Sequence, residues 1–255
     1  MFRKIKKAVS NPKLAIKKFQ NRLGIYRKHE DYKKFIVLSR SRTGSNMLIS
    51  MLTSHPSIYA KGEIFNWLKG QSVNYVLDSI YSRYPKYIKA VGFKIFYYHP
   101  LDDQSGLVWQ VLKNIDLHII HLKRRNILRT LLSRKIAGLT DVYSFDIHKN
   151  VEKKDKICHF TEDELKEGFE QTREWEKSFG HMFQSKAMID VYYEDLVSRP
   201  QQEFQRITNM LHIEYSEPKT DFKKQNPERI SDLIGNYQSL KTKFMNTEWS
   251  YFFED

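Results

Sequence analysis

Between Ser39 and Met47 the chain reads SRSRTGSNM, and these residue types in this order suit an anion. The apolar run Phe35-Ile36-Val37-Leu38 before it predicts a short buried strand, and the stretch from Ser45 to Ser54 predicts a helix. Backbone N–H groups near Gly44, Ser45 and Asn46 are then unpaired donors at a helix start, aimed at one spot where the macrodipole favours negative charge. Gly44 permits close backbone approach, Thr43 and Ser45 add hydroxyl donors, and Arg42 adds a forked cation. The loop is not the triphosphate-binding pattern G-x-x-x-x-G-K-[ST], because Ser45 and Asn46 follow Gly44 where that pattern needs Lys. Phosphoryl transfer from Mg-ATP is poorly supported as a result.

Such a loop needs a strand behind it and a helix after it, and the rest of the chain supplies the same alternation. Strands are expected at Ser57 to Ala60, Lys89 to Phe96, Leu117 to Leu122 and Ala187 to Val191. Helices are expected through Tyr75 to Ile80, around Leu107 to Leu112, from Asn126 to Ile136 and from Pro200 to Leu211. Thr161-Glu162-Asp163-Glu164 has the form of a capping box and predicts a long helix to about Phe179. Crossover-length helices between strands predict an α/β fold: a P-loop-like three-layer sandwich around a central, mostly parallel five-stranded sheet. Ligands in such sheets bind beyond the carboxyl ends of the strands, which is where the loop falls. The polar, aperiodic stretch from Gly138 to Phe160 reads as an excursion bordering a substrate cleft.

Composition sets outer bounds. The chain has 255 residues, 40% of them hydrophobic, enough for one substantial core. Its formal net charge of +13 points to anionic partners without choosing among them. Residues 1–34 read as a basic helical arm broken near Asn11-Pro12, and residues 35–255 as the catalytic domain. The arm suits peripheral contact with an anionic membrane or simple packing on the domain. It has no continuous apolar core of the kind a signal peptide or membrane span carries. The single Cys158 excludes an intrachain disulfide and fits a reducing compartment, so a cytoplasmic protein, soluble or peripheral, is expected.

Three stretches together are more specific. Arg42-Thr43-Gly44-Ser45-Asn46 after a strand resembles the 5′-phosphosulfate loop of sulfotransferases, whose donor is 3′-phosphoadenosine-5′-phosphosulfate (PAPS). The second half of that signature is an Arg at the end of a later strand with a Ser eight positions on. Here His121-Leu122-Lys123-Arg124-Arg125-Asn126 is followed by Ser133, eight residues after Arg125. Tyr192-Tyr193-Glu194-Asp195-Leu196 with Arg199-Pro200 is similar to a stretch many sulfotransferases carry near the end of the core. The ending, from Lys224-Gln225-Asn226 to Thr247-Glu248-Trp249, resembles the bacterial carbohydrate sulfotransferases of the trehalose-sulfotransferase group.

The resemblance implies a role for each site residue. Arg42 would meet the bridging or sulfonate oxygens, with Thr43, Gly44, Ser45 and Asn46 around the 5′-phosphate and Arg125 and Ser133 on the 3′-phosphate. Arg124 would replace Arg125 if the strand ended one residue earlier. Lys224 or Lys223 would close over the 3′-phosphate. Glu63, in Lys61-Gly62-Glu63-Ile64-Phe65, matches the Glu that serves as base in the trehalose group, with Phe65 and Trp67 available to exclude water. His99, after Lys94, is the competing base, and His118 and His121 read as core histidines. The implied reaction moves a sulfonate from PAPS to a hydroxyl, of a carbohydrate or glycolipid, leaving 3′-phosphoadenosine-5′-phosphate, without a metal and without nucleic acid as partner. Two other classes compete: a P-loop-type kinase with a degenerate loop, and a non-catalytic basic module binding nucleic acid or membrane.

Overall fold

The computed structural model describes residues 28–142, 152–220 and 227–254. Its strands are β1 (Lys28–His29), β2 (Lys33–Ser39), β3 (Ile58–Glu63), β4 (Tyr84–Pro85), β5 (Ala90–Phe96), β6 (His118–Lys123) and β7 (Met188–Tyr192). The helices are α1 (Ser45–Ser54), α2 (Val73–Ile80), α3 (Leu107–Asn114), α4 (Ile127–Thr140), α5 (Glu162–Met182), α6 (Tyr193–Ser198), α7 (Pro200–Met210), α8 (Ile230–Leu233) and α9 (Tyr237–Phe244). Two short 3₁₀ turns, Lys153–Lys156 and Ser250–Phe253, complete them.

Five strands form one sheet in the order β3-β5-β2-β6-β7, every adjacent pair parallel. The expected α/β architecture is therefore the one observed, and the sheet is wholly parallel. β1 and β4 pair separately as a small antiparallel ladder. β2 sits at the centre because it can be buried on both sides: Phe35 to Leu38 are each 0% exposed. Alternate residues serve opposite faces. Ile36 and Leu38 pack with α2, α3 and Phe179 of α5, while Phe35 and Val37 pack with Leu48 and Met51 of α1 and Phe204 and Ile207 of α7. The close approach of β5 to β2 requires Gly92, where a Cβ would stand 2.3 Å from the Phe35 carbonyl oxygen.

A third core lies beyond the sheet. Ile127, Leu128 and Leu131 of α4 pack there with Leu165 and Phe169 of α5 and with Leu233, Phe244, Trp249 and Phe252 of the C-terminal segment. The capping box forms as expected: the Glu164 N–H donates to Thr161 Oγ1, and the Thr161 N–H to the Glu164 carboxylate. α5 spans 21 residues from that cap.

Two boundaries differ from expectation. Residues 28–34 belong to the fold, since Lys28–His29 pairs with β4 and Lys33-Lys34 open β2; residues 1–27 lie outside the described residues. The stretch Gly138 to Phe160 is only partly an irregular excursion. α4 runs on to Thr140, and Cys158 forms a parallel bridge to Ile234 that ties the segment to the third core. Residues 143–151 lie outside the described residues.

Candidate active site

β2 ends at the loop, and two left-handed residues, Arg42 (φ 68°) and Gly44 (φ 90°), turn the chain sharply into α1. Gly44 is the N-cap and offers no side-chain acceptor. The first helical bond runs from the Leu48 N–H to the Gly44 carbonyl at 3.2 Å. The amides at the start of α1 are thus left to whatever occupies the cleft that Gly44, Ser45, Asn46 and Met47 line. Gly44 is required for a second reason. A Cβ there would come within 2.3 Å of Tyr193 Cδ2, so the tyrosine ring lies directly on the loop. Thr43 departs from expectation: it is buried, and its hydroxyl donates to the Arg40 carbonyl at 2.6 Å, bracing the loop from inside.

The turn from β6 to α4 comes beside this loop because β6 is the parallel neighbour of β2. Arg42 Nε donates to Ser133 Oγ at 3.0 Å, so the two halves of the sequence signature meet. Arg125 sits apart from the cleft. Its guanidinium makes a bidentate pair with Asp195 (3.0 and 2.6 Å), is about half exposed, and does not line the cleft. Arg124 does line it, 9% exposed, with Nη1 donating to the Arg42 carbonyl at 3.2 Å and its guanidinium 4.6 Å over the Tyr193 ring. Glu194 accepts from the Arg125 and Asn126 N–H groups at 3.1 and 3.5 Å. The Tyr193-Glu194-Asp195 stretch therefore holds the turn in place.

On the other side of α1 stands Glu63. A bulge between Lys61 and Glu63 sets Glu63, instead of Gly62, opposite Lys94 on β5 and so turns its carboxylate to the α1 side of the sheet. Lys94 Nζ lies 2.8 Å from Glu63 Oε1 and also donates to Asn46 Oδ1 on α1. His99 Nε2 is 3.9 Å from the other carboxylate oxygen. His99 Nδ1 accepts the Phe96 N–H at 3.3 Å, which leaves the proton of the neutral ring on Nε2, facing Glu63. Burial lowers the His99 pKa to about 4, outweighing the pull of Glu63, so the neutral ring prevails near neutral pH.

These groups line one cleft of about 660 Å³. Arg42, Arg124, Arg129, Arg134 and Lys94 supply positive charge, and Glu63 is the carboxylate in the lining. The arrangement can hold an anionic ligand against the start of α1 and offer Glu63 Oε2 to a hydroxyl brought in from the Asn66, Tyr98 and Leu101 side. Lys224 and Lys223 lie outside the described residues. His118 and His121 are buried within β6 and away from the cleft lining. Sequence reasoning passed over Arg129 and Arg134. Arg129 was detectable, since it precedes Ser133 by four residues on one helix and so shares its face. Among the described residues, no group of three or more His, Cys, Asp or Glu could hold a metal ion, and no helix is long and apolar enough to cross a membrane.

Comparison with known proteins agrees with this layout. The model of the Sulfotransferase family matches residues 116–217, which span β6, α4 and the Tyr193-Glu194-Asp195 stretch. Nodulation protein H of Rhizobium tropici is 25% identical over 240 residues, covering 86% of this chain and 92% of that protein. The crystal structure of a sulfotransferase from Alicyclobacillus acidocaldarius superposes with a TM-score of 0.54 at 16% identity, covering 84% of this chain and 91% of that one, and so shares the fold. The matched family model includes the β6–α4 turn and the fold around it is shared, so the chain is similar to sulfotransferases in sequence over residues 116–217 and in fold.

Proposed function

We propose that the protein transfers a sulfonate from PAPS to a hydroxyl of a carbohydrate or glycolipid, with Glu63 as general base. The observation that carries this reading is the shared cleft: the open start of α1, the Arg42–Ser133 contact and the Glu63 carboxylate face one space. The amides of Ser45 and Asn46 would hold the 5′-phosphate, and Arg42 the charge that grows on its bridging oxygen. In-line displacement forms a bond from the acceptor oxygen to sulfur as the bond from sulfur to the bridging phosphate oxygen breaks. The electron pair stays with the leaving phosphate, and the acceptor proton passes to Glu63. Lys94, held between Asn46 and Glu63, faces the transferring group with a positive charge. His99 is better suited to orient Glu63 than to act as base, because its cleft-facing nitrogen carries the proton.

The carbohydrate or glycolipid acceptor is supported by the likeness of the C-terminal segment to the trehalose-sulfotransferase group. A kinase reading is weaker, since no lysine follows Gly44. Calorimetry with adenosine 3′,5′-bisphosphate tests the donor: binding at micromolar ligand, with none for ATP, is expected, and the reverse overturns the reading. A screen of labelled PAPS against sugar, glycolipid and phenol acceptors then tests the acceptor class. Residues 1–34 also fit peripheral contact with anionic membrane; flotation with vesicles containing phosphatidylserine, for the full chain against one lacking residues 1–27, decides this.

A further inference from the structure

We infer that the groove between α4 and α5, beside the cleft, holds the sugar units of the acceptor that lie beyond the one receiving sulfate, and that these units are uncharged. The inference rests on the proposed carbohydrate acceptor and adds where that acceptor extends, and with what charge.

The groove has a volume of about 940 Å³ and adjoins the cleft, since Arg134 lines both. A second contact joins them: Tyr98 of the cleft packs on Trp175 of the groove, with ring centroids 5.7 Å apart. Tyr98 precedes His99, whose Nε2 faces Glu63. A chain of sugars with one hydroxyl at Glu63 and its remainder passing Tyr98 would therefore enter the groove.

Arg40 lines the groove and is 4% exposed. Its Nη1 donates to the Gly168 carbonyl at 3.1 Å and to Thr172 Oγ1. Among the described residues its Nε is buried without a hydrogen-bond partner. A buried donor left unspent is costly unless a ligand oxygen takes it. Burial, and after it the charge of Arg134, lowers the Arg40 pKa to about 10, so the side chain remains a cation and a donor near neutral pH.

The opposite wall sets the charge of the occupant. Glu167, Glu170 and Glu174 line it from one face of α5, three and four residues apart. Lys135 and Glu164 also line the groove, but they pair with each other at 2.7 and 2.8 Å. What remains is three carboxylates against Arg40 and Arg134, a lining that disfavours an anion and offers both acceptors and donors. A sugar hydroxyl gives and takes a hydrogen bond, so it suits such a wall. The half-buried indole of Trp175 adds an apolar surface for the C–H side of a sugar ring.

The test measures sulfation of mono-, di- and tetrasaccharides of glucose, galactose, mannose and N-acetylglucosamine by the full chain with labelled PAPS. For a sugar that is sulfated, KM should fall by about 10-fold or more from mono- to tetrasaccharide, because the added units gain contacts in the groove. Trp175→Ala should raise the tetrasaccharide KM about 5- to 20-fold with the KM for PAPS within about 2-fold, and Trp175→Phe should fall between. Glu167 and Glu170 are exposed, so the double change Glu167→Gln with Glu170→Gln probes the groove without risk to the core, and it should raise the tetrasaccharide KM to a similar extent. A KM independent of chain length overturns the inference, as does a tetrasaccharide KM unmoved by the double change or a glucuronic acid tetramer preferred to the neutral ones. Sulfation of a phenol with none of any sugar overturns the carbohydrate reading itself.

Discussion

Lys94 Nζ stands 2.8 Å from Glu63 Oε1 and donates at the same time to Asn46 Oδ1, so one buried ammonium joins the carboxylate at the end of β3 to the first turn of α1. The loop that opens α1 and the proposed base are therefore coupled through a single side chain. A change at any of the three should be felt in turnover more than in nucleotide binding.

Glu63→Gln keeps the size of the side chain and its ability to accept from Lys94 but takes up no proton. Turnover should fall by roughly 100-fold or more, the usual scale for loss of a general base, with adenosine 3′,5′-bisphosphate affinity within about 2-fold of the parent. Steady-state assay and calorimetry measure the two quantities. Full activity in Glu63→Gln together with a dead His99→Gln would move the base to His99.

The buried histidines set an acid limit on stability. The His99 pKa is lowered from 6.5 to about 4 by burial, so the unfolded chain takes up a proton between these values that the fold refuses. Stability present above about pH 6.5 is then lost as the pH falls toward 4. His118 and His121 are shifted down by burial as well and act in the same direction. Asp190, lowered to about 2 chiefly by the approach of His121 Nδ1 at 3.3 Å and by Lys123, and Asp195, lowered to about 2 by its Arg125 hydrogen bond, support the fold at every pH above their unfolded range near 3.8 and fail only below it. Melting temperature recorded from pH 8 to pH 4 should fall through the histidine window, and His99→Gln should flatten that slope. An unchanged slope would show that His99 is not among its causes.

Gly44→Ala combines a left-handed backbone with a Cβ 2.3 Å from the Tyr193 ring. About 2–4 kcal/mol of destabilisation is expected from strain and overpacking together. Thermal denaturation should show it as a lower midpoint, with loss of bisphosphate binding. Because the clash is with a side chain, Gly44→Ala combined with Tyr193→Ala should cost less than the two single changes added together. Strict additivity would mean that the backbone angle alone is responsible.

Thr161→Ala removes one half of the capping box at the start of α5. It should cost about 1 kcal/mol, or roughly 2–4 °C in melting temperature, and leave nucleotide binding unchanged. A loss of binding would reveal coupling from α5 to the cleft.

Much of the fold was legible because its signals are local. The apolar run at Phe35 to Leu38, the capping box at Thr161 and the Pro200 helix start each state an element within a few residues. The sites at Arg42, Ser45, Asn46, Ser133 and Glu63 were legible as candidates for the same reason: a turn after a strand, or a fixed spacing on a helix. Where Arg125 and Thr43 direct their side chains was not legible, because residue type and spacing do not say where a side chain spends its donors. The Thr43 hydroxyl finds the Arg40 carbonyl, and the Arg125 fork finds Asp195, 70 residues away.

By itself the sequence determined the parallel α/β sheet, the turn between β2 and α1 and the residue types around it, since strand, helix and cap preferences act over a few neighbouring positions. Only the tertiary structure decided which of two adjacent arginines enters the cleft, that a bulge turns Glu63 toward Lys94, and that Tyr193 lies over Gly44. Those outcomes depend on strand register and on the partner each long polar side chain meets across the fold, and neither is written in any local stretch of the chain.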